Sequence, residues 1–337
     1  MAPLATVGIL SVGEMGVGIA KLLIAHNYRV VTNIAGRSKD TQARAQRNSI
    51  ETLPSDISLV ETADYIFSIV PPRDALATAK RITTAFNTRS KPTPLYYLDL
   101  NAISPRSARE IASLFQTFAP AIKFIDGGII GGAPSPKTST EPQTTVSSPP
   151  ANTTHEWERP SIPVSGPSRV SDSPLSGAHL ASTLNLNHIS SEIGKASGLK
   201  CCFASLSKGF TALCIQSITT ASNMGVLEIL LHEAEERMPG MVKAARRGVP
   251  GMPPKAYRWV REMEEIAITH ADEGGFEGGG EEGEGVFGQI AKVYRSVAED
   301  TILGEEKTER RKRGRTLEDV ALVMGEGLMA KKRKTSG

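Results

Sequence analysis

The stretch Val7-Gly8-Ile9-Leu10-Ser11-Val12-Gly13-Glu14-Met15-Gly16-Val17-Gly18 decides the fold. Val7 to Val12 is a short apolar run that stops at a glycine turn. From Val17 to Ala25 the apolar residues Ile19, Leu22 and Leu23 then recur at helical spacing. Strand, tight turn, helix is the opening of a nucleotide-binding βαβ unit, in which glycines let backbone N–H groups approach a pyrophosphate at a helix N-terminus. Gly13 and Gly16 fill two of the three glycine positions, and Ser11 stands at the first. The backbone from Ser11 through Gly13, Glu14, Met15 and Gly16 is therefore the candidate pyrophosphate cradle.

Working outward, Arg29–Ala35, Asp64–Val70 and Leu95–Leu100 are further β-branched or aromatic runs, separated by polar or helical stretches. Strands alternating with helices predict a mainly parallel sheet with right-handed crossovers, an α/β Rossmann-type domain. Lys123–Ile125 and Pro160–Val164 are two more strand candidates. Between them lies Ala133 to Pro160, rich in Pro, Ser and Thr, which reads as a disordered insertion loop because it has too little apolar surface to bury. From Ile193 to about Leu231 the spacing predicts one long helix. Lys255–Ala271 and Val286–Leu303 predict two more, separated by an acidic glycine-rich loop. The expected organisation is a nucleotide-binding Rossmann domain over 1–190 and an all-α domain with a basic tail over 191–337.

The end of the second strand selects the nucleotide. An acid about 20 residues past the glycines would hold ribose hydroxyls, but the sequence there is Ala35-Gly36-Arg37-Ser38. A guanidinium with a neighbouring hydroxyl suits a 2′-phosphate, so NADP is preferred to NAD, with Arg37 and Ser38 as its contacts.

Composition excludes several classes. In 337 residues, 39% are hydrophobic and 22% charged, and the net charge is +3. No apolar run reads as long enough to span a bilayer, and the N-terminus has no basic leader region. Three cysteines, Cys201, Cys202 and Cys214, give neither a disulfide framework nor paired metal-ligand spacing, so no metal and a reducing, cytoplasmic setting are expected. The basic clusters Arg310–Arg315 and Lys331–Lys334 leave nuclear import open. As short solvated ends without aromatic interleaving they do not point to nucleic acid.

Several separated segments together resemble the β-hydroxyacid dehydrogenase superfamily, which includes 6-phosphogluconate and 3-hydroxyisobutyrate dehydrogenases. They are the first glycine turn, Val70-Pro71-Pro72, Asp99-Leu100-Asn101-Ala102-Ile103-Ser104-Pro105, the turn Asp126-Gly127-Gly128-Ile129-Ile130-Gly131-Gly132, and a lysine early in a long helix. The closest likeness is to a branch with a phosphogluconate dehydrogenase-type NAD-binding C-terminal domain.

The resemblance implies an NADP-dependent oxidoreductase for a small hydroxy acid or its carbonyl form, with a lysine as general acid and base. It also implies a homodimer built through the helical domain. Val70, Pro71 and Asn101 would border the nucleotide. Asn101, Ser104, Gly131 and Gly132 would hold the substrate, although Asn101 and Ser104 serve equally well as caps of the helix that Pro105 opens. Lys200 fits the frame of the superfamily's lysine, about seven helical turns before Gly225, and Lys208 is the second candidate. Three positions depart from the pattern: Ile130 where a serine is usual, and Phe203 and Ala204 where an asparagine is usual. They support the alternative of an NADP-binding sensor or scaffold without turnover.

Overall fold

The computed structural model describes residues 2–137, 156–277 and 285–335. The chain divides into two compact units, Met1–Asn101 with Ser107–Lys200, and Ala102–Arg106 with Cys201–Gly337.

The first unit is built on β1 (Thr6–Leu10), β2 (Arg29–Thr32), β3 (Glu51–Thr52), β4 (Tyr65–Ser68), β5 (Leu95–Asp99), β6 (Ile122–Gly127), β7 (Ser135–Pro136), β8 (Trp157–Glu158), β9 (Ile162–Ser165) and β10 (Leu186–Ser190). Eight of these form one sheet in the order β10-β9-β6-β5-β4-β1-β2-β3. Every pairing is parallel except β6 with β9. β1, β4 and β5 are buried along their whole length. Strands covered on both faces read as continuous apolar runs rather than as alternation, which is why these segments stand out in the sequence. Val7, Ile9, Ile19, Leu23, Phe67 and Leu98 are at the centre of the core. The strand order reverses between β1 and β4, so the chain leaving each of them flanks the crevice where open α/β sheets bind ligands.

Two strands escape the sequence reading. β3 is two exposed residues, and β10 is an edge strand with no fully buried position. The expected loop over Ala133–Pro160 contains two short strands near its ends, β7 paired antiparallel with β8, and just outside it Ile130 bridges Ser161. Trp157 also packs on the core of the unit. The remainder of that expectation, 138–155, lies outside the described residues, as does 278–284 of the acidic glycine-rich loop.

The second unit is helical. Beyond the part of helix Lys195–Asn223 that starts at Cys201, it contains Leu227–Arg237, Pro239–Gly251, Ala256–Gly274, Gly285–Glu299 and Leu317–Thr335. Ile215, Met263, Ile266, Tyr294, Val297 and Val320 are buried in its core. The single helix expected from Ile193 to Leu231 is two, because Gly225 takes φ +73°. Val226 N–H bonds the Ala221 carbonyl and Gly225 N–H the Ser222 carbonyl, a Schellman stop.

Among the described residues, Lys195–Asn223 is long and apolar enough to cross a bilayer by length and composition alone, as the core helix of a folded domain also is. Ala204, Ala212, Ile215 and Ile218 account for part of that apolarity in the core of the second unit. The basic clusters are mostly exposed, as expected, but they are ordered rather than unstructured. Lys331–Lys334 continue helix Leu317–Thr335, with Lys331 paired to Asp300 at 2.8 Å, and Arg313 forks onto Asp319.

Candidate functional site

The first glycine turn has one residue in a costly conformation and two glycines with different reasons to be there. Ser11, at the position where a glycine is usual, adopts φ +95°. A Cβ on Gly16 would sit 2.2 Å from the Ser11 carbonyl oxygen, so this glycine is required by helix-to-turn packing. A Cβ on Gly13 would meet nothing closer than Ser11 Oγ at 3.8 Å. Packing within the fold does not demand glycine at 13, and the open space there is compatible with close approach of a ligand. Gly13 is also the N-cap of helix Glu14–Ala25 and offers no side chain to its first turn, the arrangement that binds phosphate. These residues fit a dinucleotide pyrophosphate.

Beyond β2, Arg37 is exposed in a turn closed by its N–H to the Ile34 carbonyl, and the next residue starts helix Lys39–Arg47. Ser38 caps that helix, its Oγ accepting from Thr41 N–H at 3.3 Å. The hydroxyl thus already has a structural use, whereas Arg37 is exposed. The sequence reading missed Arg44, whose Nη1 donates to the Val12 carbonyl at 3.0 Å and braces the glycine turn. Its spacing in a mostly polar helix gives no sign of this contact.

The ends of β4 and β5 are tied by Asn101. Its Oδ1 accepts from Val70 N–H at 2.7 Å, and its Nδ2 donates to Ser68 Oγ at 2.9 Å. Asn101 is buried, and Pro71 follows Val70 as the N-cap of a short 3-10 turn. Ser104 belongs to the helical unit, where it is wholly buried and its N–H donates to Glu265 Oε2 at 2.9 Å.

The second glycine turn meets the start of helix Lys195–Asn223. A Cβ on Gly128 would be 2.6 Å from Lys200 Cβ, so Gly128 exists to admit this lysine. Lys200 Nζ donates to the Ile129 carbonyl at 2.5 Å. Both backbone polar groups of Ile130 bond Ser161, and Gly131 takes φ +130°. A Cβ on exposed Gly132 would meet nothing within 4 Å, the same unforced glycine as Gly13.

Lys208 is elsewhere in chemical terms. Within the helical unit it forms an ion pair with buried Glu262, and its Nζ lies 4.8 Å from the centre of the Trp259 ring.

Two buried acids close the picture. Asp99 and Asp126 are register partners at the ends of β5 and β6. Asp99 Oδ1 accepts from Asn101 N–H, whereas its Oδ2 has no hydrogen-bond partner. Burial, with the Asp126 charge adding to it against the opposing Asn101 hydrogen bond, pushes the Asp99 carboxyl up to about 7. The sequence contains both acids within recognised segments, but only the strand register brings them side by side.

Comparison with known proteins agrees with this architecture. Residues 6–90 match the family described as NADP oxidoreductase, coenzyme F420-dependent, and residues 221–297 match a domain of unknown function, DUF1932. An uncharacterized 28.5 kDa protein of Methanothermus fervidus is 22% identical over 268 residues, which is 78% of this chain and 91% of that one. Among solved structures, 3-hydroxyisobutyrate dehydrogenase of Mycobacterium tuberculosis, determined with L-serine, superposes with a TM-score of 0.59. It is 14% identical and covers 97% of this chain and 99% of its own. A conserved protein of unknown function, reported as structurally similar to 3-hydroxyacid dehydrogenases, gives a TM-score of 0.54. It is 23% identical, over 87% of this chain and 96% of its own. The chain has the fold of the β-hydroxyacid dehydrogenase superfamily, the same superfamily that its sequence motifs resemble.

Proposed function

We propose that the chain is an NADP-dependent oxidoreductase that interconverts a small hydroxy acid and its carbonyl form, with Lys200 as general acid and base. The observation that carries this reading is the seating of Lys200 on the second glycine turn, its Cβ against Gly128 and its Nζ on the Ile129 carbonyl. When bound, the nicotinamide supplies the hydride acceptor or donor.

The roles of the chain's own groups follow from their chemistry. The backbone N–H groups from Gly13 to Gly16 neutralise the pyrophosphate, and Arg37 holds the 2′-phosphate with Ser38 beside it. Val70 and Pro71, fixed by Asn101, border the nucleotide. Gly131 and Gly132 offer backbone donors to a substrate carboxylate, and Lys200 takes or returns the proton of the reacting hydroxyl. The match of residues 6–90 to a family described by NADP supports the cofactor choice. The dehydrogenase with 3-hydroxyisobutyrate in its name supports the substrate class.

Ile130 favours a second reading, a nucleotide-binding sensor without turnover. A hydroxyl is missing where the superfamily has one, and the backbone groups of Ile130 are used within the fold.

Titration of nicotinamide fluorescence tests the cofactor claim. NADPH is expected to bind more tightly than NADH. Arg37→Ala should weaken NADPH about 10- to 100-fold, the worth of a charge-assisted hydrogen bond to phosphate, and leave NADH unchanged. Equal affinity for the two nucleotides in the wild type would refute the role of Arg37. Reduction of NADP by any member of a panel of small hydroxy acids would exclude the sensor reading.

A further inference from the structure

Asp126 does more than end a strand. It is wholly buried, and its carboxylate collects four hydrogen bonds. Oδ2 accepts from Gly194 N–H at 3.0 Å, Ser197 N–H at 3.2 Å and Ser165 Oγ at 2.8 Å, while Oδ1 accepts from Ser197 Oγ at 2.5 Å. Ser165 Oγ in turn accepts from Ala196 N–H at 3.0 Å. Three N–H groups at the start of helix Lys195–Asn223 are therefore taken by one acid on β6 and one hydroxyl on β9. The helix has no internal acceptors for those groups, and an anion at its N-terminus is favoured by the dipole.

The position of Asp126 in the chain gives the clamp its consequence. Its backbone leads directly into Gly127, Gly128 and Ile129, while its side chain holds Ser197. Lys200 lies three residues past Ser197, a rise of about 4.5 Å and less than one turn. What Lys200 touches on the turn, and the helix that carries it, are thus joined through a single side chain.

We infer that Asp126, assisted by Ser165 and Ser197, is the positioning residue for Lys200, fixing the register between the lysine's helix and the glycine turn on which its Nζ rests. The catalytic meaning of this clamp rests on the role proposed above for Lys200; its mechanical meaning does not. Ser165 and Ser197 become necessary in this account as hydroxyls. A threonine at 197 keeps the bond and an alanine loses it.

The test compares Ser197→Ala, Ser165→Ala and the double variant with wild type, and uses Ser197→Thr as the conservative control. The full-length protein is pulsed with trinitrobenzenesulfonate, and modification of Lys200 relative to exposed Lys80 is followed by peptide mass spectrometry. The double variant is expected to modify Lys200 about fivefold faster, as loss of a net hydrogen bond would produce. Ser197→Thr should return the rate to the wild-type value, and NADPH affinity should stay within about twofold throughout. A double variant that is less stable yet modifies Lys200 at the wild-type rate would overturn the inference, because the network would then support the fold without placing the lysine. Changed Lys200 reactivity together with undiminished turnover in Lys200→Ala would leave the clamp standing and remove the catalytic role of the lysine.

Discussion

At the scale of single residues, the site is marked by positions where the fold and the amino acid disagree. Ser11 holds a φ of +95° that favours glycine. Ser11→Gly is expected to stabilise the protein by about 1 kcal/mol, the strain relieved exceeding the added chain entropy. A denaturant midpoint that rises at constant slope is the readout.

Asp99 is the second such position. Its carboxyl, buried and pushed up from 3.8 to about 7, binds its proton more tightly when the chain is folded. This group therefore contributes no penalty below the unfolded value. It lowers stability progressively as pH rises toward about 7, to a ceiling of about 4 kcal/mol at about 1.4 kcal/mol per unit. Asp99→Asn keeps the acceptor for Asn101 N–H and removes the charge. Its stability should gain on that of wild type between about pH 4 and pH 7, and parallel curves would contradict the account.

Glycine identities were legible in the sequence, but their reasons were not. Gly16 and Gly128 are forced by packing, whereas Gly13 and Gly132 are not, and that separation needs the neighbours' coordinates.

At the scale of elements, β1, β2, β4, β5, β6 and β9 could be read from the sequence because burial on two faces writes itself as an apolar run. β3 and β10 could not, since edge strands held by few buried side chains carry no such signal. The same logic explains the helical errors. The apolar spacing continues across Met224–Val226, so periodicity alone carries the helix through its own stop at Gly225. Gly225→Ala should destabilise the protein by about 1 kcal/mol or more, because alanine pays the cost of a left-handed conformation that glycine does not. A smaller loss than that of an alanine placed at Gly240, where φ is not positive and the space is open, would argue against the stop.

At the scale of the whole molecule, two units with separate cores carry two lysines of contrasting character. Lys208 answers a buried acid, Glu262, inside the helical unit. Removing it leaves that acid without its partner, so Lys208→Ala should lose about 3 kcal/mol of stability. Lys200 sits on the glycine turn of the sheet unit and is only half-buried, and its truncation should cost far less stability. The sequence alone placed both on one helical pattern and left both as candidates. It could not show which one has an acid for a neighbour and which one a turn, because those neighbours come from distant parts of the chain.

That contrast makes steady-state turnover of purified Lys200→Ala and Lys208→Ala the most direct measurement, using NADP and whichever hydroxy acid the wild type oxidises. The account predicts that Lys200→Ala lowers kcat by about 10²- to 10⁴-fold, the usual worth of a general acid and base, while NADPH affinity is retained. Lys208→Ala, assayed below its unfolding temperature, should keep kcat within about tenfold of wild type. Turnover that survives in Lys200→Ala and is lost in folded Lys208→Ala would contradict it.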